Sequence, residues 1–130
     1  NDYSFIAGRI KFLMINTNAI EYDYSEPVPD FDFLETEIKK DSALFDRTIV
    51  CMHAAPYSEQ FNNNVAKPFN HYLQLYPGLM FCLYGHGHHT EEHDIFENGT
   101  IYYEVASVEK REYRIFTITP KGYSNEVISF

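Results

Sequence analysis

The residues of this chain best equipped for chemistry are histidines. The stretch Leu83-Tyr84-Gly85-His86-Gly87-His88-His89 gathers three imidazoles directly after an apolar run that begins at Leu79. Another histidine, His53, closes a second apolar run, Arg47-Thr48-Ile49-Val50-Cys51-Met52. Neutral imidazole nitrogen is the commonest protein ligand for zinc, and it suits iron and manganese as well. Gly85 permits a sharp exit from a strand, and Gly87 lets the backbone approach an ion or anion closely. Each signal is weak alone, since a strand-end histidine is ordinarily a polar end cap. Jointly, His53, His86 and His88 form the candidate metal-ligand set. His89 and His93 read as solvated groups or as hydrogen-bond partners of ligands, and His71 on the Pro68-Phe69-Asn70-His71-Tyr72 segment as a surface residue.

Those histidines need a frame. The chain has 130 residues, enough for one domain with a real core. Its hydrophobic content of 45% marks a folded chain, and eleven Tyr with eleven Phe favour strands. Residues 3–7 and 9–16 read as two strands joined at Gly8. Pro27 and Pro29 keep residues 17–30 irregular, and Asp30 can cap a helix over 31–44. Phe31, Leu34 and Ile38 form its apolar stripe, with Glu35, Glu37, Lys39 and Lys40 facing water. Residues 47–53 form the next strand, 65–76 a second helix ending before Pro77-Gly78, and 79–84 another strand. Asn98-Gly99 predicts a hairpin between 93–97 and 100–107, and a last hairpin turns at Pro120-Lys121-Gly122.

The expected fold class is therefore α/β: a mixed sheet with two helices and a C-terminal β-meander. Strands joined by helical crossovers run parallel, and their C-terminal ends share one edge, where sites in such sheets form. His53, His86 and His88 all fall at that edge.

The net charge of −9 disfavours duplex nucleic acid and anionic membrane surfaces as partners. A phosphorylated substrate stays compatible with it, because bound dications invert the local field. Cys51 and Cys82 read as buried free thiols. No apolar run has the length of a membrane span, and the first residues show no signal-peptide pattern. The absence of an initiator methionine reads as a chain excised from something longer, which leaves localisation open. His86-x-His88-x3-Glu92-x6-Gly99 fits the middle of the first cupin motif. Met80 stands where that motif wants glycine, however, and strands alternating with helices do not make a jelly roll.

The segments Ile49-Val50-Cys51-Met52-His53-Ala54-Ala55-Pro56-Tyr57 and Gly85-His86-Gly87-His88, separated by a helix, resemble the C-terminal half of calcineurin-like metallophosphoesterases. The preceding hairpin, the amphipathic helix and the closing strands are similar in pattern across essentially the whole chain. The resemblance implies half of a four-layer α/β/β/α sandwich, with two divalent ions (manganese, zinc or iron) at the strand ends. It places His53 and His86 on one ion and His88 on the other. Such a pair clamps a phosphate ester and activates a water for in-line attack.

The departures are equally informative. The superfamily's Asp-x-His, Gly-Asp and Gly-Asn-His motifs are all missing from this sequence. Asn70-His71 lacks the glycine and follows His53, the wrong order. Without the bridging carboxylate, three neutral ligands hold two dications poorly. The expectation is thus a half-site: residues 1–130 as the C-terminal portion of a metallophosphoesterase domain, inactive alone and binding at most one ion weakly. The alternative is a non-catalytic interaction module with vestigial histidines, forming homo-oligomers through an uncovered sheet face.

Overall fold

The computed structural model describes residues 2–20, 27–85, 90–106 and 108–130. Its centre is a six-stranded sheet of β1 (Tyr3–Ala7), β2 (Ile10–Ile15), β3 (Arg47–Met52), β4 (Leu79–Tyr84), β5 (Glu92–His93) and β6 (Tyr102–Glu104). The spatial order is β1-β2-β3-β4-β6-β5. The middle four strands are parallel, and β1 and β5 are antiparallel edges. Helices α1 (Phe31–Lys39) and α2 (Ala66–Gln74) cover one face. Strands β7 (Glu112–Thr119) and β8 (Gly122–Ser129) form a separate two-stranded sheet that packs on the other.

Because side chains alternate along a strand, the central strands supply two cores at once. Leu13, Ile15, Val50, Met52, Cys82 and Tyr102 point to the helices and meet Leu34, Phe69 and Leu73. Ile49, Phe81 and Tyr103 point the other way and meet Phe116, Ile118 and Tyr123 of the hairpin. Burial on both faces is why these strands read as continuous apolar runs.

The α/β class, with a mixed sheet and two helices, forms as expected. The continuous C-terminal meander does not. Strand β6 enters the main sheet parallel to β4, and β7–β8 leaves it. The physical reason is the alternation within β7. Phe116 and Ile118 share one half-buried face, while Tyr113 and Ile115 share an exposed one. A strand with one apolar face seats on a sheet surface more readily than inside a sheet buried on both sides. The Asn98-Gly99 hairpin is also looser than expected. Strands β5 and β6 do pair, with His93 opposite Tyr102, but the link between them is long. Asp94 organises it by accepting from the Asn98 and Gly99 N–H groups, both at 3.0 Å.

Helix α1 begins as expected, with the Asp30 carboxylate accepting from Phe33 N–H at 3.1 Å. It stops at Lys39, short of the expected 44. Lys11 reaches across from β2 and donates to the Glu37 and Lys40 carbonyls, each at 2.7 Å. Those carbonyls lie at the helix end, where the helix itself offers no partner. Asp41 then takes a left-handed conformation, φ 58°, and the chain turns away. Glu37 does not face water, contrary to expectation: it is 3% exposed. It accepts from Ser4 Oγ and lies 3.5 Å from the Lys11 ammonium. Lys11 is fully buried, and a buried cation requires an opposite charge and hydrogen bonds.

One irregularity sets the alignment of the strand ends. Thr48 stands opposite Leu79 but Ile49 stands opposite Phe81, so Met80 is an extra residue in β4. A bulge of this kind moves all later residues by one position. It brings Tyr84 level with Met52, and so Gly85 level with His53.

Candidate functional site

The C-terminal ends of β2, β3, β4 and β6 lie along one edge of the sheet. Thr17, just past β2, is fully buried and locks that edge to β3. Its Oγ1 donates to the Ala54 carbonyl at 2.7 Å and accepts the Ala54 N–H at 2.8 Å. Next to this lock, the Gly85 N–H donates to the His53 carbonyl at 3.2 Å. That bond joins the two histidine-bearing segments, since His86 follows Gly85 directly in the sequence.

His53 is exposed and borders a groove of about 330 Å³ whose walls include Tyr3, Met14, Asn16 and Cys51. The expected ligands His86 and His88, together with His89, lie outside the described residues. His93 sits away from His53 in sequence and strand, exposed on β5, with its Nε2 3.0 Å from the Glu91 carboxylate. His71 is on the exposed side of α2, as expected.

Imidazole is chemically suited to zinc, manganese or iron. Among the described residues, however, no group of three His, Cys, Asp or Glu side chains converges to hold a metal. Of the expected ligands His53, His86 and His88, only His53 is among the described residues.

A second feature of the same edge was not anticipated from the sequence. Glu104 ends β6, is 7% exposed, and accepts from the Tyr84 hydroxyl at 3.1 Å. Burial pushes the Tyr84 phenol well above its ordinary range, and the Glu104 charge and hydrogen bond push in the same direction. Together with Tyr57, Ser58, His93 and Ile95, this pair lines a cavity of about 420 Å³. The legible signal was a glutamate closing an apolar run, Ile101-Tyr102-Tyr103-Glu104, which is the same pattern that singled out His53.

The cysteines are free thiols, Cys82 buried and Cys51 half-buried. Burial raises the Cys51 thiol to about 11 and that of Cys82 higher still. Both are neutral at pH 8, and only thiolate is nucleophilic. Iodoacetamide at pH 8 is therefore expected to leave the native chain unmodified and to label both cysteines once urea unfolds it, as read by intact mass. The unfolded thiols ionise from near pH 9 while the folded ones stay protonated, so the unfolded state binds fewer protons there. Stability is thus fully present below pH 9 and declines as pH rises toward the folded values.

No protein-family model matches this chain, and no curated protein is significantly similar to it.

Proposed function

We propose that this chain is the C-terminal half of a dinuclear metallophosphoesterase domain, carrying part of the metal-ligand set of a phosphate-ester hydrolase. The observation that carries the reading is the hydrogen bond from Gly85 N–H to the His53 carbonyl. It brings the strand-end histidine and the start of the Gly-His-Gly-His motif to the same point on a parallel sheet edge. The succession of hairpin, helix, strand, helix and strand leading to that point supports it. Divalent ions bound there would supply Lewis acidity at the phosphoryl group and a nucleophilic water. This chain's own part is to present imidazole nitrogens from two adjacent strand ends. It brings no bridging carboxylate motif, so it holds at most one ion weakly.

The test is Zn²⁺ titration at pH 8 beside an aryl phosphate assay with added Mn²⁺ or Zn²⁺. One weakly held ion is expected, lost in His53→Ala and lost in acid, because imidazolium does not ligate. No turnover is expected. Absence of Zn²⁺ uptake at pH 8 overturns His53, His86 and His88 as a ligand set. Robust turnover by the chain alone, abolished in His88→Ala, overturns the half-site reading.

One observation favours a second reading, a non-catalytic module that self-associates. On the hairpin-side face of the sheet, Tyr3 is 55% exposed and Phe5 47%, beyond the area the β7–β8 hairpin covers. Phe5 stacks on Phe12 of the neighbouring strand, with ring centroids 4.9 Å apart. Apolar patches of this kind commonly mark contact surfaces. Light scattering that shows a dimer at high concentration, dissociated by Phe5→Lys, supports this reading; a clean monomer counts against it.

A further inference from the structure

The opposite edge of the main sheet, where β2 and β3 begin side by side, carries different chemistry. Gly8, Arg9, Asp46, Arg47 and Pro120 line a groove of about 360 Å³ there. They come from the β1–β2 turn, the start of β3 and the turn of the β7–β8 hairpin. Ten lysines and arginines face nineteen acidic residues in this chain, yet two of the arginines meet in this one groove. Lys121 follows Pro120 directly, and Asp46 is the single carboxylate among the lining residues. Gly8 and Arg9 both have positive φ, 56° and 65°. Glycine, asparagine or aspartate is the ordinary choice in a two-residue turn of that kind. Arginine there is a strained choice, and such strain clusters at ligand sites.

Both guanidiniums are held in place by the protein. Arg9 Nε donates to the Asp46 carboxylate at 3.1 Å, and Nη1 to the Ala43 carbonyl at 3.4 Å. The Arg9 carbonyl accepts the Asp46 N–H at 3.0 Å, which docks the turn on β3. Arg47 Nη1 donates to the Thr119 carbonyl at 2.7 Å. The Arg47 stem packs against Gly78, where a Cβ would stand 3.1 Å from Arg47 Cγ and 2.4 Å from the Asp46 carbonyl oxygen. Only glycine permits that approach. A guanidinium carries five N–H donors in a planar fork. Nη2 of Arg9, and Nε and Nη2 of Arg47, have no protein acceptor among the described residues. Asp46 balances the charge of Arg9, but among the described residues no carboxylate lies within ion-pair distance of Arg47. Two arginines and one aspartate therefore leave one positive charge uncompensated at the groove.

We infer that this groove binds a phosphate group, as the free ion or as a small phosphate monoester. A planar carboxylate is satisfied by one guanidinium fork. A tetrahedral dianion presents oxygens in several directions, so it accepts from both arginines at once and matches their charge. A Cβ built on Gly8 would meet nothing within 4 Å, so the groove is open on that side to the rest of a ligand. The site stands at the sheet edge opposite His53 and Gly85 and does not depend on the phosphoesterase reading.

The experiment is an amide NMR titration of the whole chain, at constant ionic strength, with inorganic phosphate, glycerol phosphate and acetate. Phosphate is expected to shift the amides of Gly8, Arg9, Arg47 and Lys121. Acetate is expected to bind at least about tenfold more weakly, having lost one charge-assisted hydrogen bond. Equal affinity for the two phosphates assigns the site to the free ion; tighter glycerol phosphate assigns it to a monoester. Arg9→Gly removes one fork and places glycine at φ 65°, where it is at home. Its exposed ion pair with Asp46 contributes little, so the thermal midpoint should hold or rise while phosphate affinity falls at least about tenfold. Arg47→Gln should lose as much, and Arg9→Gly carries the test if losing the Thr119 contact shifts the hairpin. Equal binding of acetate overturns the phosphate assignment. Unchanged affinity in Arg9→Gly overturns the site, as does a titration without shifts at these amides or with shifts at Gly85 instead. Zn²⁺ added to the same sample separates the two readings. Phosphate shifts at Gly8 and Arg47 without Zn²⁺ uptake remove the phosphoesterase reading and leave this site; Zn²⁺ uptake without those shifts does the reverse.

Discussion

Lys11→Met is expected to lower the unfolding free energy by about 3 kcal/mol, a large share of the roughly 5–15 kcal/mol that holds a domain together. The Lys11 ammonium is the meeting point of the helix layer and the sheet. It donates to two carbonyls at the end of α1 and faces the Glu37 carboxylate, while its charge lies 4.5 Å from the centre of the Phe45 ring. Methionine fills much of the same volume, so the cost is not a cavity. It comes from two backbone acceptors left without their donor and from a carboxylate left buried without its main counter-charge. Lys40 remains 3.8 Å from Glu37, but its side chain is largely exposed and its contribution is screened. The double variant Lys11→Met with Glu37→Leu removes the stranded charge along with its partner. It is expected to recover all but about 1 kcal/mol, the residue being the unpaired carbonyls. Urea denaturation of the four proteins closes the cycle, with the slope unchanged if the denatured state is unaffected. A Lys11→Met protein within 1 kcal/mol of the parent would sink this account of how α1 is terminated.

That pair also shows where reading the sequence stops. Element order was legible because its signals are local: Asp30 before an apolar stripe, Pro77-Gly78 after a helix, runs of Ile, Val and Phe between turns. The convergence of His53 and Gly85 was legible too, since a helical crossover between buried strands leaves their C-terminal ends together. Glu37 was not. A helix face is judged from its neighbours in sequence, and the residue that buries Glu37 is Lys11, contributed by a strand in a different layer. The same holds for Glu104, whose partner Tyr84 is on another strand. The departure of β7–β8 from the main sheet depends on which apolar face finds a surface to cover, a decision made after the sheet exists. The Met80 bulge leaves no mark in the pattern, yet it determines which residue stands opposite His53. His86 and His88, the two residues on which the metal reading leans most, lie outside the described residues.

The second large effect concerns the hairpin and the strand that carries the site. Phe81 lies on β4 immediately after the Met80 bulge and is 1% exposed. Its ring stacks on Phe116 at 4.5 Å, tilts against Tyr123 at 4.6 Å and meets the edge of Tyr103 at 5.6 Å. It is the point through which the two-stranded sheet grips the six-stranded one. Phe81→Ala is expected to cost about 4 kcal/mol, from lost transfer energy and the cavity left among three rings that cannot all close on it. The loss should also be directional. Without the ring, β7–β8 keeps its own ladder but loses its main apolar anchorage, retaining the Tyr103–Tyr123 hydroxyl contact at 2.9 Å and the Arg47 bond to the Thr119 carbonyl at 2.7 Å. Hydrogen exchange should therefore accelerate more in residues 112–129 than in β2 and β3, whose far faces stay packed under the helices. Ile115→Ala, on the exposed face of the same hairpin, should change stability by no more than about 0.5 kcal/mol. Phe81→Leu keeps the measurement interpretable if the alanine variant fails to fold. It should show the same pattern of exchange at a smaller cost. Uniform acceleration across both sheets would mean that the hairpin and the central sheet unfold as one unit. The bulge that aligns Gly85 with His53 would then be stabilised by the hairpin as well as by the strands. Selective acceleration would mean that the edge carrying the histidines stands on the helix-backed sheet alone.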